Sequence, residues 1–320
     1  MSDEQPLHDP WLVAAWPGMG SVALGAGYYL LAKLCMHLLD ELPARELFDL
    51  DHVDVTDGLI QAAPLPRSRL FCWKDPRQRH DLIVFIGEAQ PTAKSGLICR
   101  QLIDRVAPLG VKKVFTFAAM ATDMRSGQDA RVFGAAIDRA TLETFKQLDV
   151  HLLQGGQISG LNGVLLGVAA ESGMSGGCLL GEMPGMFAQL PFPKASLAVI
   201  EFFSTMAGIE IDLRELQSHA RDVEDKLAGF LQKIERAIHE AEAPEVPKVS
   251  VTAEPPEQEP SGSKKPRLEA ADRQHLEQLF IEAAHDRSRA YFLKQELDRL
   301  QVFPDYEDRF LDLFKEPGPP

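Results

Sequence analysis

Residues 155–185, GGQISGLNGVLLGVAAESGMSGGCLLGEMPG, decide the fold of this chain. A glycine-rich turn leads into a short helix that has no polar face before Glu171, and Ser159 and Asn162 near its start are residue types that favour helix N-caps. Further glycines end the helix, and residues 178–180 follow as a short buried strand. A helix that is apolar all round must be covered on both sides, so the rest of the chain is expected to pack around this unit.

The charge and cysteine content exclude several classes of protein. A net charge of −14 over 320 residues argues against nonspecific binding to nucleic acid or to an anionic membrane, because both need a basic surface. The four cysteines are scattered without CxxC spacing, which is typical of reduced cysteines in a cytosolic protein. The histidines show no HxxH or HExxH pairing, so neither a metal site nor a cofactor is predicted.

The remaining sequence signals favour a cytoplasmic location. The acidic start, MSDEQPLHDP, is unlike the basic n-region of a secretory signal. The longest apolar run, residues 22–32, is shorter than the roughly 20 residues that a membrane-spanning helix needs. We therefore expect a soluble protein that stays inside the cell.

Apolar runs bounded by Gly and Pro alternate with helical patterns along the first two thirds of the chain. This alternation predicts an α/β fold, a three-layer αβα sandwich with a mostly parallel sheet. Strands are expected at 11–16, 48–56, 59–63, 70–73, 81–87, 113–120, 150–153 and 178–180. Helices are expected at 22–39, 92–107, 141–148 and 193–208, and residues 121–132 are expected to form a long surface loop.

A long helix follows this α/β region. Asp212 and Glu215 form a capping box, and from Leu216 to Ala241 apolar residues recur at alternating steps of four and three. This spacing is a heptad seam. It fits a helix packed on its own domain, and it also fits a coiled-coil contact with another helix or another chain.

The rest of the chain divides at a change of composition. Residues 1–243 form the α/β domain, residues 244–267 are rich in Pro, Glu, Ser and Lys and read as a disordered linker, and residues 268–316 form a C-terminal helical segment. That segment reads as one helix over 268–300 and a second over 306–314. Its apolar residues either dock back on the domain or bind another protein. The candidate partner-binding residues are Leu293, Leu297, Leu300, Phe310 and Phe314.

Several polar or glycine residues follow strands of the predicted sheet. Ligands of open α/β proteins bind at the carboxyl edge of the sheet, and backbone N–H groups in a glycine turn can hold an anion there. The candidate ligand-binding residues at this edge are Gly18, Gly20, Ser21, Glu88, Gln90, Asn162 and Glu182. The simpler alternatives are a tight structural turn at Gly18–Gly20, loop groups that meet water at Glu88 and Gln90, and acids that cap helices or pair with arginine.

Catalytic chemistry has little support in the sequence. Glu182 and Glu201 are acids near the predicted sheet that could act as an acid–base pair. The chain contains no cysteine with a positioned histidine and no Walker A motif. No catalytic residue is predicted, and the protein is more readily understood as a non-enzyme.

Several sequence blocks resemble those of the proteasome assembly chaperone family, in the group related to the second eukaryotic assembly chaperone. In the family's order, the blocks are WPGMGSVA, FIGEAQP, LGVKKVFTFAA, GQISGLNGVLLGVAAESGMSG and LLGEMPGMFAQLPFPKASLAVIEFFSTMAGIEIDL, within residues 11–240. The resemblance implies an αβα sandwich similar to purine nucleoside phosphorylases, homo-oligomers that are often trimers, and chaperoning of the proteasome α ring. Archaeal relatives can carry a C-terminal hydrophobic–Tyr–any-residue motif that docks on that ring, whereas this sequence ends in KEPGPP.

Two functional hypotheses follow. The first is a non-enzymatic, homo-oligomeric assembly chaperone or scaffold, with a trimer favoured and with a further protein partner for the C-terminal helices. The alternative is a protein or enzyme that binds a nucleoside or another anionic metabolite at the carboxyl edge of the sheet.

Overall fold

A mixed eight-stranded sheet forms the centre of the molecule, with the strand order β2-β5-β6-β1-β7-β10-β8-β9. The computed structural model describes residues 6–48, 53–56, 58–62, 65–91, 94–125, 127–241 and 268–315. The four central strands, β6, β1, β7 and β10, run parallel, and the antiparallel pairs lie towards the edges. The strands are β1 (Trp11–Ala15), β2 (His37–Leu42), β3 (Val53–Thr56), β4 (Leu59–Ala62), β5 (Ser68–Trp73), β6 (Leu82–Gly87), β7 (Lys113–Thr122), β8 (Val132–Ala136), β9 (His151–Leu152) and β10 (Ser175–Pro184).

Helices cover both faces of the sheet, which confirms the predicted αβα sandwich. One face is covered by α3 and α5, and the other by α1, α6 and the C-terminal helices. The helices are α1 (Val22–Lys33), α2 (Ala44–Leu47), α3 (Ser95–Val106), α4 (Arg139–Gln147), α5 (Gly160–Glu171), α6 (Pro193–Ala207), α7 (Arg214–Ala241), α8 (Ala270–His285), α9 (Ala290–Arg299) and α10 (Phe303–Asp312). None of the helices in the described ranges is long and apolar enough to cross a bilayer.

Strand β1 shows why the central strands are continuous apolar runs. Trp11 and Val13 point into the core under α1 and α6, whereas Leu12 and Ala14 point into the core under α3 and α5. Side chains alternate between the two faces of a strand, so a strand covered on both faces needs apolar residues at every position.

Strand β10 lies inside the fold, as its sequence predicts, whereas α5 is covered on one side only, because Gly167 and Ala170 are exposed. Strand β10 pairs with β7 along ten residues and is longer than the expected 178–180. Glycine at 181 lets α6 approach the sheet closely, because a Cβ atom there would lie 2.4 Å from the backbone oxygen of Ala195. At Gly176, where φ is +126°, a Cβ atom would lie 1.9 Å from the oxygen of Val114.

Other sequence expectations also differ from the structure. The helix expected over 22–39 ends at Lys33, because Cys35 turns the chain with φ +49° and β2 follows. The loop expected over 121–132 is shorter, because β7 runs to Thr122 and β8, which was not predicted, starts at Val132. The helix expected over 268–300 is broken where Asp286 accepts a hydrogen bond from the backbone of Ser288.

Helix α7 packs on its own domain at its start. Leu216 and Ala220 are buried, whereas Phe230, further along the heptad seam, is 55% exposed. The helix begins at Arg214, slightly later than the expected N-cap Asp212, whose carboxylate accepts a hydrogen bond from the backbone N–H of Arg214. A coiled-coil contact with another helix or another chain would therefore have to use the second half of α7.

The C-terminal helices dock against α1 and β5 of the same chain. The ring of Tyr28 lies 5.2 Å from that of Phe303 and 5.7 Å from that of Phe310, and Phe71 lies 6.0 Å from Phe314, between ring centroids. The sequence left two alternatives for the apolar residues of this segment, docking on the domain or binding another protein. In the structure they dock on the domain. The linker expected at 244–267 lies outside the described residues, and the domain division stays a prediction.

Candidate functional site

The turn after β1 uses its backbone groups within the protein. Gly20 and Ser21 have left-handed backbones, with φ +61° and +50°, and Gly18 is exposed. The N–H of Gly20 donates to Ala188 O at 2.9 Å, and the oxygen of Gly20 accepts from the N–H of Phe192 at 2.9 Å. These bonds join the end of β1 to the segment after β10, as in a structural turn.

Gln90 connects two segments at the carboxyl edge of the sheet. Its Nε2 donates to Pro17 O at 2.6 Å, and its Oε1 accepts from the N–H of Leu161 at 3.3 Å. The side chain of Ser159, the N-cap residue of α5, makes no cap hydrogen bond, so Gln90 supplies an acceptor to the first turn of that helix. Asn162 is buried beside this contact, and its Oδ1 has no hydrogen-bond partner among the described residues.

Glu182 forms a separate site on β10. Its carboxylate accepts from Thr122 Oγ1 at 2.8 Å and from Arg131 Nε at 2.8 Å. The hydrogen bonds from Arg131 lower the pKa of the Glu182 carboxyl to about 2. An open polar cleft next to it is lined by Asp123 and Asp129 as well as by these residues. Glu182 is thus an ion-pair partner, which is the simpler of the two sequence readings.

Glu88 lies in a cluster of charges under the C-terminal helices. Its Oε2 accepts from the N–H of Arg67 at 2.7 Å, and its Oε1 lies 3.4 Å from Nη1 of Arg69, a fully buried residue. Burial raises the pKa of the Glu88 carboxyl to about 7, and the nearby carboxylates of Glu307 and Asp308 act in the same direction.

Helix α10 completes this charge cluster. Asp308 accepts hydrogen bonds from Arg67, at 3.0 Å, and from Arg69, and Tyr28 donates to Glu307. Sequence reasoning missed the two arginines. The signal that could have found Arg69 is its position directly before the apolar run of β5, since a charge buried in the sheet needs a partner.

A small cavity lies between the turn after β1 and the C-terminal helices. Its volume is about 220 Å³, and its walls include Gly20, Ser21 and Tyr28. On its other side Lys294 pairs with Asp298 at 2.5 Å, and Lys294 Nζ lies 4.5 Å from the centroid of the Phe303 ring.

A titratable pair lines the same cavity. The Nδ1 atom of His219 lies 3.0 Å from the hydroxyl of Tyr291. Burial lowers the pKa of His219, so its ring is neutral at pH 7. The cavity therefore has both apolar and polar groups on its walls.

The seven candidate ligand-binding residues occupy different surroundings. Gly20 and Ser21 line the cavity, Gln90 and Asn162 lie at the start of α5, Glu88 lies in the charge cluster, and Glu182 pairs with Arg131. Among the described residues, no group of three His, Cys, Asp or Glu side chains is placed to hold a metal ion.

The candidate partner-binding residues lie in the interface between the C-terminal helices and the domain. Four of them are fully buried there, and Leu300 is half-buried and packs against the same core. The four are Leu293, Leu297, Phe310 and Phe314. In this conformation they contact the protein itself.

Large apolar side chains are exposed at the carboxyl edge of the sheet. Met19 follows β1, and Met186 and Leu190 follow β10, with 44%, 71% and 45% of their surfaces exposed. The backbone hydrogen bonds of Gly20 hold the two segments together. We call Met19, Met186 and Leu190 the edge patch.

Comparison with known proteins identifies the family. The PAC2 family model matches residues 12–231. An uncharacterised protein of Methanocaldococcus jannaschii is 26% identical over 247 residues, which cover 74% of this chain and 87% of that protein. The crystal structure of Pyrococcus furiosus PbaB, an archaeal proteasome activator, has a TM-score of 0.60 and 26% identity, and covers 72% of this chain and 96% of that chain.

A second solved structure agrees in fold. A proteasome-assembly chaperone homologue from Mycobacterium tuberculosis has a TM-score of 0.59 at 21% identity, covering 68% of this chain and 94% of that chain. The resemblance to proteasome assembly chaperones that the sequence blocks indicated is confirmed. Because the family model spans more than half of the sequence, the chain belongs to the PAC2 family.

Proposed function

We propose that this protein is a non-enzymatic assembly chaperone or scaffold that works in the cytoplasm as a homo-oligomer, with proteasome α subunits as its clients. Family membership supports this proposal, as does the similarity to PbaB, a proteasome activator. A trimer is the favoured oligomer.

The observation that carries the proposal is the kind of side chain left exposed at the carboxyl edge of the sheet. Gln90 and Glu182 are engaged in contacts that hold the fold together. The edge patch, in contrast, exposes large apolar side chains, and two of its three members are methionines. Flexible methionines are favoured where a surface must adapt to a protein partner. This edge therefore offers a surface for proteins.

Two measurements on the purified full-length protein test the proposal. Light scattering after size-exclusion chromatography should give a homo-oligomer at micromolar concentration. Proteasome α subunits of the same organism, purified unassembled, should bind the protein in calorimetry, and native mass spectrometry should then detect more assembled rings. A strict monomer that does not bind α subunits would refute the proposal.

The 220 Å³ cavity supports a second candidate function, which is binding of a nucleoside or another small metabolite. Thermal-shift screening against nucleosides, nucleotides and phosphate tests it. A stabilising ligand should lose its effect in the Lys294→Met variant, since Lys294 lines the cavity, and should keep it in Glu182→Gln, since Glu182 lies elsewhere. If no compound raises the melting temperature, this candidate is eliminated.

A further inference from the structure

Strand β8 lies between β10 and β9, and β9 covers only part of its outer edge. On the inner side, the N–H of Ile137 donates to Gly176 O at 2.8 Å, and Arg131 O accepts from the N–H of Glu182 at 2.9 Å. In an antiparallel pair the residues that bond to the partner strand alternate with residues whose backbone groups point away from it. In β8 the outward-pointing residues are Val132, Gly134 and Ala136.

The outer edge of β8 is open at Ala136. Strand β9 has only two residues, and they pair with Phe133 and Gly134. Leu153 extends this pairing by one hydrogen bond, from its N–H to Gly134 O at 2.9 Å, and the chain then turns away through Gly156, where φ is +120°. Within the described ranges, no hydrogen bond joins the outward N–H or C=O of Ala136 to this segment, so both groups are available to another chain.

An open apolar pocket lies beside this edge, on the face of the sheet that α5 covers. Its volume is about 360 Å³, and none of the described residues that line it carries a charge. A cavity of about 150 Å³ with apolar walls already holds a molecule of the size of benzene, so this pocket has room for an aliphatic side chain. We call its apolar lining the β8 groove, which consists of Ala135, Ala136, Ile137, Leu153, Ile158 and Leu166.

The open edge and the pocket together fit an extended peptide chain. Unpaired N–H and C=O groups at a strand edge are a template for pairing with another strand. Side chains of the added strand alternate between the two faces of the sheet, so at least one of them would point to the face on which the pocket lies. In peptide recognition by strand addition, the main-chain hydrogen bonds supply affinity and such a pocket selects the side chain.

We propose that the β8 groove binds an extended segment of a partner protein, which adds a strand at Ala136 and places an aliphatic side chain in the pocket. The groove is distinct from the edge patch. Ala136 lies opposite Gly177 near the start of β10, whereas Met186 and Leu190 follow the end of that strand. The inference goes beyond the proposed function, because it concerns another surface and does not require that the partner is a proteasome α subunit.

The first measurement is amide hydrogen exchange, at residue resolution, on the full-length protein without peptide. The N–H of Ala136 should exchange at least about tenfold faster than that of Ala135, which points to β10. Slow exchange of Ala136 at every protein concentration would mean that another part of the same chain covers the edge. Slow exchange that is lost on dilution would mean that a second copy covers it. Either result overturns the inference.

The second measurement adds strand-forming probe peptides, Ac-Lys-Thr-X-Thr-X-Lys-NH2 with X as Val, Ile or Leu, at millimolar concentration. Thr and β-branched residues favour extended chains. At least one peptide should slow the exchange of Ala136 about threefold or more, and the peptide with X as Asp should not, because the pocket is apolar. Protection at Met186 in place of Ala136 would put the peptide on the edge patch. That result, or no protection by any peptide, overturns the inference.

Two variants then test the contact by fluorescence anisotropy of the labelled peptide. Ala136→Pro removes the outward N–H, and proline is tolerated on an edge strand at a position whose N–H points away from the sheet. It should weaken binding about tenfold, whereas the control Ala136→Ser keeps the N–H and should bind like the wild type. Ala135→Leu fills the pocket without changing the backbone and should also weaken binding, which keeps the test decisive if Ala136→Pro unfolds. Binding that Ala135→Leu leaves intact overturns the inference.

These outcomes are separate from those of the proposed function. A monomeric protein that does not bind α subunits would refute the proposed function and would leave the exchange of Ala136 and the peptide binding unchanged.

Discussion

Tyr28 donates a hydrogen bond to Glu307, and this contact joins α1 to α10 across 279 residues of sequence. Tyr28 is 1% exposed, and its ring also packs edge-on against Phe303 and Phe310. Burial raises the pKa of Glu307. The C-terminal helices are therefore held by an aromatic contact and a polar contact at the same place. Removing one of the two contacts should show how much it contributes to the free energy of unfolding.

The Tyr28→Phe variant should lower the free energy of unfolding by about 1–2 kcal/mol, because Glu307 loses the hydroxyl that donates to it in a partly buried site. Chemical denaturation at pH 7 measures the difference. Tyr306→Phe is the control. Its ring stacks on Phe280 in the same helical segment, and its change should stay below about 0.5 kcal/mol. Equal effects of the two variants would mean that the Tyr28 hydroxyl has no special part in docking.

Glu88 should make stability depend on pH between about 4.5 and 7. Its pKa in the folded protein, about 7, lies above the usual 4.5, so the stabilisation is complete below pH 4.5 and is lost as the pH rises through 7. The Glu88→Gln variant keeps an acceptor for the Arg67 N–H but cannot ionise. It should match the wild type near pH 5 and exceed its stability by about 2 kcal/mol at pH 8.

The quantity to measure is the difference in stability between the wild type and Glu88→Gln, by thermal melting across that pH range. Contributions from other groups such as His219 cancel in this difference. A difference that stays constant from pH 5 to pH 8 would show that Glu88 does not carry a raised pKa.

The central part of the fold could be predicted from sequence because its signals are local. An apolar helix between glycines and a strand buried on both faces, such as β1, need no knowledge of distant residues. Strand β2, His37–Leu42, was missed for the opposite reason. It continues the pattern of α1, and what makes it a strand is its pairing with β5 and the turn at Cys35.

The candidate site was predictable only residue by residue. The position of Glu88 after a buried strand marked it as a candidate, but its surroundings depend on Arg69 and on Asp308, which is 239 residues from Arg69. Local patterns carry no information on such contacts. The convergence of Glu88, Gln90 and Asn162 was expected from their shared sheet edge. Their partners separate them, because Glu88 turns towards Arg67 and Arg69 while Gln90 bonds to the start of α5.

The Arg131–Glu182 ion pair should respond unequally to the loss of either partner. The side chain of Glu182 is 3% exposed, whereas that of Arg131 is 51% exposed. Arg131→Ala leaves a buried carboxylate without its cation, whereas Glu182→Gln leaves an arginine that water can solvate. Thermal melting at pH 7 should show a roughly twofold larger loss for Arg131→Ala. Equal losses would contradict the buried position of Glu182.

The same pair predicts the acid limb of the stability profile. The pKa of Glu182 in the folded protein, about 2, lies below the usual 4.5, so its stabilisation is present above pH 4.5 and is lost as the pH falls through 2. Melting temperatures of the wild type should therefore fall over this range. The fall should be smaller in Arg131→Ala, where burial without the cation raises the pKa of Glu182.

Two glycine substitutions should test the close packing of α6 on β10. A Cβ atom at Gly181 would lie 2.4 Å from the backbone oxygen of Ala195, and a backbone atom cannot move aside as a flexible side chain can. Gly181→Ala should therefore lower the free energy of unfolding by about 1–3 kcal/mol. Gly167 lies in α5, and a Cβ atom there would have no neighbour within 4 Å. Gly167→Ala should therefore stabilise the protein by about 0.5–1 kcal/mol through helix propensity. Denaturant unfolding should give changes in the free energy of unfolding of opposite sign for the two variants if α6 lies on β10 as described. A neutral or stabilising Gly181→Ala would show that the two elements are further apart.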